Sequence, residues 1–516
     1  MVNVELVDDE PPAEPERDPV SEWLGRVVAA ALRAARRAWR RPAVRWPTVG
    51  VAAALVVTLV TVPVVDGVRE RARLAALAQV PGVLRPLSPG LRLLYSAAGG
   101  DQDAAPIRDG FVLGDLLVGL IHQSPGDWTA AGLDPGTGAR RWATTLGNQV
   151  QWGGAAPQCF PTGTVVACLV TGPFSGPAAG TTTTLWVLDA ADGHVVRTAT
   201  YGDHVRAAAA GGLVVVGRQV STTGGTQGPW TVTWRVMGED PVTGDARWTW
   251  TSPPLRVAAE DDPSDPLQLA GDYGFELLPV AAPGAPPDDV ALRVGADTWL
   301  FGPDGHARAH VARPGGWTLE ETRGGGIVRL PRVSTVVRPT RELLLDDGTW
   351  RALEGTPLPM TVDDGSAPDL VFVTDVSTLT AVDRHTGAVH WQAPIDRRVI
   401  GPLFSLSAMV LGSRLYMDTQ DLQAYDASTG ALLWHAPLAG GPLSTDGTVA
   451  VVQSTDEEGF PQGVKAYRLA DGREIWSSAI TPLLPSAGPR LTLITFGAPL
   501  PEIVVVRSDG MVAVLG

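Results

Sequence analysis

The side chains best suited to chemistry are scarce in this 516-residue chain. It holds two cysteines, eight histidines, one lysine (Lys465) and two asparagines (Asn3 and Asn148). Cys159 and Cys168 flank Phe160-Pro161-Thr162-Gly163, a plausible hairpin turn. Facing each other across that hairpin, they could form a disulfide; two buried free thiols are the alternative. His306 and His310 lie four apart with no third histidine or carboxylate at ligand spacing, so they are expected to be solvated loop residues. The acidic run Glu260-Asp261-Asp262-Pro263-Ser264-Asp265 offers oxygen ligands for Ca²⁺ but lacks the alternation and central glycine of a calcium loop, and a solvated loop is expected. There is no Gly-x-Ser-x-Gly elbow. Lys465 follows Gly463-Val464 without the upstream glycine of a phosphate-cradling loop. No catalytic, cofactor-binding or metal-ligating set is expected.

The elements that would carry any site are set by a repeat. Ala381-Val-Asp383-Arg-His-Thr-Gly387-Ala-Val-His-Trp391 and Ala424-Tyr-Asp426-Ala-Ser-Thr-Gly430-Ala-Leu-Leu-Trp434 share one pattern, Ala-x-Asp-x-x-Thr-Gly-x-x-x-Trp. Degenerate copies run from Asp134 through Gly138 to Trp142, and from Asp240 through Gly244 to Trp248. Two more run from Arg468 through Gly472 to Trp476, and from Asp189 through Gly193 to Arg197. A period of about 40 residues marks a repeat architecture. Each copy reads as a β-hairpin. The Asp carboxylate takes backbone N–H groups to close the turn, the glycine supplies the positive φ, and the Trp rides on the returning strand. A lone hairpin cannot bury that Trp, whereas radial stacking of four-stranded units can. The expected fold is therefore an all-β propeller; unrelated hairpins in a β-sandwich would not keep one Asp-to-Gly-to-Trp spacing.

With these motifs the chain resembles the PQQ-type (quinoprotein) β-propellers from about residue 90 to its C-terminus. The resemblance is specific for the fold and not for the chemistry. Some members are pyrroloquinoline-quinone dehydrogenases; others, the BamB-like scaffolds, work without a cofactor. For a dehydrogenase, the resemblance implies a calcium site of Glu, Asn and Asp, an Asp base and a vicinal Cys-Cys pair. This chain has no Cys-Cys, and Asn148 alone could serve as the propeller's asparagine ligand. A BamB-like scaffold without cofactor is the expectation, with a quinone oxidoreductase using the central channel as the alternative.

Counting final strands near Trp142, Arg197, Trp248, Ala307–His310, Ala352, Trp391, Trp434 and Trp476, plus the C-terminal copy, gives nine units. Eight blades are usual in the family and are the expectation, with seven to nine allowed. Glu502–Val506 and Met511–Leu515 leave the last unit short of its outer strand. Leu91–Tyr95, with Tyr95 in the Trp position, can supply it and remove the open edge.

The first ninety residues differ in kind. Residues 1–22 read as an acidic disordered tail, 23–45 as an Arg-rich helix, 46–65 as a transmembrane helix, 66–90 as stalk and linker, and 91–516 as the propeller. Twenty uncharged residues from Trp46 to Val65 suffice to span a bilayer core of ~30 Å. The leader is long for a cleaved signal peptide, and no small-x-small site follows. Seven arginines precede the span, so the positive-inside rule places the N-terminus in the cytoplasm and the propeller outside. Beyond Asp66 the chain carries 46 acidic and 32 basic residues, which excludes nucleic acid or an anionic membrane surface as a bulk-charge partner. A membrane tether and an envelope protein bound on a propeller face are the expected partners.

Overall fold

The computed structural model describes residues 68–124, 127–148, 157–171, 182–202, 205–223, 230–257, 275–280, 287–294, 297–312, 317–322, 326–331, 341–375, 377–395, 407–419, 421–437, 441–456, 460–485 and 490–516. The expected tail, Arg-rich helix and membrane span, and the acidic run at Glu260–Asp265, lie outside them. Among the described residues no helix is long and apolar enough to cross a membrane. The chain divides into two compact units, Met1–Ala76 and Leu77–Gly516. In the first, residues 68–76 are helical.

The second unit consists of nine sheets, each with at least four strands. In chain order the blades span residues 111–148, 158–201, 205–257, 275–312, 317–353, 356–394, 407–437, 443–479 and 491–515. The count equals the literal census of repeats, lies within the expected range and exceeds by one the eight usual in the family. The extra unit comes from 275–353, where the repeat is most degenerate yet two complete sheets form. Their middle strands, Asp289–Val294 and Ile327–Pro331, carry enough Val, Leu and Ile to be covered on both sides.

Burial follows strand position. Val165–Thr171, Ser407–Leu411 and Ile503–Arg507 are almost wholly buried, because a blade's inner strands have a neighbouring blade on each face. Outer strands such as Val389–Pro394 alternate between buried and exposed residues. Among the described residues, apolar clusters drawn from both adjacent blades fill eight of the seams. At the seam between the seventh and eighth blades, the Arg414 guanidinium and the Tyr416 hydroxyl both donate to the Leu469 carbonyl.

The ninth blade is built from both ends of the chain. Leu93–Ala97 pairs antiparallel with Val512–Leu515, and Arg92 and Gly516 exchange backbone hydrogen bonds of 3.0 and 3.1 Å. A feature absent from the repeat pattern lies between the sixth and seventh blades. The innermost strand of the sixth is only Thr356–Pro357, and the chain then crosses over so that Met360–Asp363 pairs in parallel with Ser407–Leu411 of the seventh.

Candidate functional site

The repeat residues assemble one device at seven of the nine seams. In four of the turns an Asp carboxylate accepts backbone N–H groups two and three residues on. Asp426 takes Ser428 and Thr429 at 3.0 Å, Asp383 takes His385 and Thr386 at 3.1 and 2.8 Å, Asp240 takes Val242 and Thr243 at 3.1 and 3.0 Å, and Asp134 takes Gly136 and Thr137 at 2.9 and 3.1 Å. Stabilising the charged form in this way lowers all four carboxyls. The Thr243 N–H, with Arg247 beside it, brings Asp240 down to about 2. Asp134 is lowered chiefly by Arg141, Asp383 by the Thr386 hydroxyl and Asp426 by that of Ser428.

The turn glycines Gly138, Gly244, Gly387, Gly430 and Gly472 have φ between +66° and +79°. On Gly138, Gly193, Gly305, Gly430 and Gly472 the preceding blade's aromatic ring lies directly on the glycine, leaving no room for a Cβ. Trp142 donates through Nε1 to the Ala190 carbonyl at 2.9 Å, Trp248 to Pro303 at 3.0 Å, Trp391 to Ala427 at 2.8 Å and Trp434 to Leu469 at 3.2 Å. Tyr95 takes the same place on Gly138, its hydroxyl donating to the Pro135 carbonyl at 3.0 Å.

Two arginines substitute for the ring. Arg197 covers Gly244, reaches the Asp240 carbonyl and pairs with Glu239 at 2.6 Å; Arg351 covers Gly387 and donates to the Thr386 carbonyl at 3.1 Å. Two seams lack the device. The fourth blade has Ala309 at the ring position and, in the next turn, Gly348 faces open space. Trp476 of the eighth blade precedes the blade where the two chain ends meet, which has no such turn.

Cys159 and Cys168 face each other in register on the first two strands of the second blade, with Cα atoms 4.1 Å apart and their sulfurs bonded. His310 is not a loop residue. It lies on the strand Ala307–Ala312, its ring stacks on Trp299 at 4.5 Å and its Nε2 is 2.8 Å from Asp297. His306 caps a turn beside Asp304 at 2.9 Å. Sequence spacing could not show Asp297 beside His310, because strand pairing brings them together; Asp304 stands only two residues before His306. Asn148 ends the outer strand of the first blade, and Lys465 pairs with Glu474 at 3.4 Å.

Two charged pairs form within single blades on their inner strands. Glu276 on an innermost strand meets Arg293 at 2.7 Å, and Arg329 and Glu342 form a buried pair. Burial raises Glu320, opposed by Arg341. Burial also raises Glu502, whose oxygen lies 2.7 Å from Arg85 without hydrogen-bond alignment, so the cation offsets only part of the desolvation. Among the described residues one group could hold a cation, Asp189, Asp192 and His194. Asp189 and Asp192 already accept turn N–H groups, from Ala191 and His194.

A shallow pocket of about 420 Å³ opens beside the third blade, lined by Gly202, Val205 and the strand from Arg218 to Thr222. Outer-strand starts carry a different feature. Val389, Leu432, Leu433 and Ile475, on three consecutive blades, are 57%, 53%, 44% and 43% exposed.

Residues 345–483 and, in an overlapping frame, 377–515 match the family model described as outer membrane protein assembly factor BamB. The repeats within residues 345–515 thus match a PQQ-like family model. No curated protein matches the chain. Similar solved structures include BamB from Moraxella catarrhalis, with 16% identity over 83% of this chain and 97% of that one and a TM-score of 0.37. A europium-containing methanol dehydrogenase has 14% identity over 82% and 86%, with a TM-score of 0.35. The quinohemoprotein alcohol dehydrogenase ADHIIG from Pseudomonas putida HK5 has 13% identity over 85% and 78%, with a TM-score of 0.34. At these values the likenesses carry no argument about activity.

Proposed function

We propose that this PQQ-like propeller is a protein-binding scaffold of the cell envelope, tethered through residues 46–65 with its N-terminus in the cytoplasm. The observation that carries the reading is the row of exposed aliphatic side chains on the sixth, seventh and eighth blades. Single exposed aliphatics are ordinary, but Val389 and Leu432, two before the repeat Trp, and Leu433 and Ile475, one before it, fall at paired positions on neighbouring blades, and such a row marks a contact surface. The row falls within the stretch matching the assembly-factor model, which favours an envelope protein as the occupant.

The alternative is an oxidoreductase holding pyrroloquinoline quinone and Ca²⁺. Its implied donor set does not fit the residues described. The two cysteines are bonded across a hairpin rather than adjacent in the chain, and the inner-strand Glu276 is neutralised by Arg293.

A photoreactive residue placed at Leu433 or Ile475, in the full-length protein in its native membrane, tests the scaffold reading. The expected result is one common protein adduct from both positions and none from Val195 on the second blade. Adducts no more frequent at Leu433 and Ile475 than at Val195 would overturn it.

A further inference from the structure

The seam between the second and third blades treats two pairs of charged positions differently. Glu239, Met237 and Arg235 alternate along the strand Trp230–Glu239 and so line one face of it. Glu239 meets Arg197 and Tyr201 of the second blade, at 2.6 Å and 3.1 Å, so this face is turned toward that blade. Arg235 is four residues further along. Its register partner is Arg218, whose own partner on the other side is Val205. Arg218 and Arg235 therefore project from the same face of the sheet, and Val205 on that face is buried against the second blade.

Two like charges directly opposite on neighbouring strands are unfavourable. At Arg197 a carboxylate compensates. At Arg218 and Arg235 no carboxylate among the described residues does so, although the chain carries 55 acidic residues against 40 basic ones. Arg218 Nε is buried without a hydrogen-bond partner, and so is Oε1 of its neighbour Gln219. Both residues line the pocket of about 420 Å³, a volume in the range of small-molecule sites, roughly 300–1,000 Å³.

We infer that this pocket binds a small molecule through an oxyanion group, a phosphate or carboxylate, held by the Arg218 guanidinium that lines it, with Arg235, the register partner of Arg218 on the same face, supplying the second positive charge from beside the lining. A planar guanidinium matches either group with two parallel N–H bonds. The anion would remove the repulsion between the two cations and satisfy the buried Arg218 Nε. The site is independent of the scaffold reading and of the aliphatic row.

Calorimetric titration of the full-length protein with inorganic phosphate and, separately, with succinate tests the inference. At least one anion is expected to bind, and the tighter one identifies the class of group. Arg218→Gln and Arg235→Gln should each weaken binding tenfold or more, while Arg256→Gln on the neighbouring strand Leu255–Val257 leaves it unchanged. Without anion, Arg235→Gln should melt at or above the parent temperature, since a repulsion has been removed; loss of binding then cannot be attributed to unfolding. Failure of both anions to bind, or equal affinity in the parent and the two variants, would overturn the inference.

Discussion

Trp391 shows how one residue does two jobs in the fold. It is 8% exposed, lies on Gly430 of the next blade and donates to the Ala427 carbonyl. Trp391→Ala should cost about 3–5 kcal/mol, as for other buried aromatics, read as a lower urea midpoint; an unchanged midpoint would show that the ring does not join the blades. The turn aspartates lead to a prediction in pH. Asp240 is held down to about 2, so its contribution is full above the usual carboxyl value near 3.8 and is lost as pH falls through 2. The melting temperature should therefore drop between pH 4 and pH 2, and less steeply in Asp240→Asn; equal slopes would contradict this. The Asp, Gly and Trp of each copy were legible because fixed spacing on a hairpin leaves them little choice of position, and Tyr95 was legible for the same reason. Arg197 and Arg351 were not recognised as stand-ins for the ring. An arginine can cover a glycine with its aliphatic stem and flat guanidinium, but in sequence it reads as a lost tryptophan. Arg218 and Arg235 were illegible because only the strand register places them opposite each other.

Among elements, the strand Leu93–Ala97 closes the ring. It covers the edge of Val512–Leu515, whose residues are all buried. A chain beginning at residue 98 should expose that edge and aggregate, whereas one beginning at Leu77, the start of the compact unit, should stay monomeric. Sedimentation of the two fragments decides this, and a monomeric, cooperatively folding 98–516 chain would contradict the closure. That pairing was readable from a C-terminal unit one strand short and an N-terminal strand left over. The crossover at Met360–Asp363 was not, because a four-residue strand that joins the neighbouring blade in parallel leaves no periodic trace. The blades at 275–353 were uncertain in sequence for a related reason. The seam between them is filled by Val280, Ala291, Leu300, Leu319 and Ile327 rather than by a repeat tryptophan, and both ring positions are lost, to Ala309 and Arg351.

At the scale of the whole molecule, the proposed tether predicts sidedness. In intact cells a membrane-impermeant maleimide should label Ser477→Cys, exposed on the eighth blade, and spare Ala13→Cys in the tail; the reverse pattern would refute the orientation. The propeller could be read from one period repeated along the chain, but its occupant could not, because a rim residue such as Leu433 carries no spacing rule that names a partner. Scaffold and quinone enzyme make opposite predictions for one measurement. The full-length protein is titrated with pyrroloquinoline quinone and Ca²⁺ while the quinone absorbance and the melting temperature are followed. The scaffold account predicts no saturable change in either. A stoichiometric complex with a melting temperature that rises with ligand concentration, as mass action requires, would contradict it.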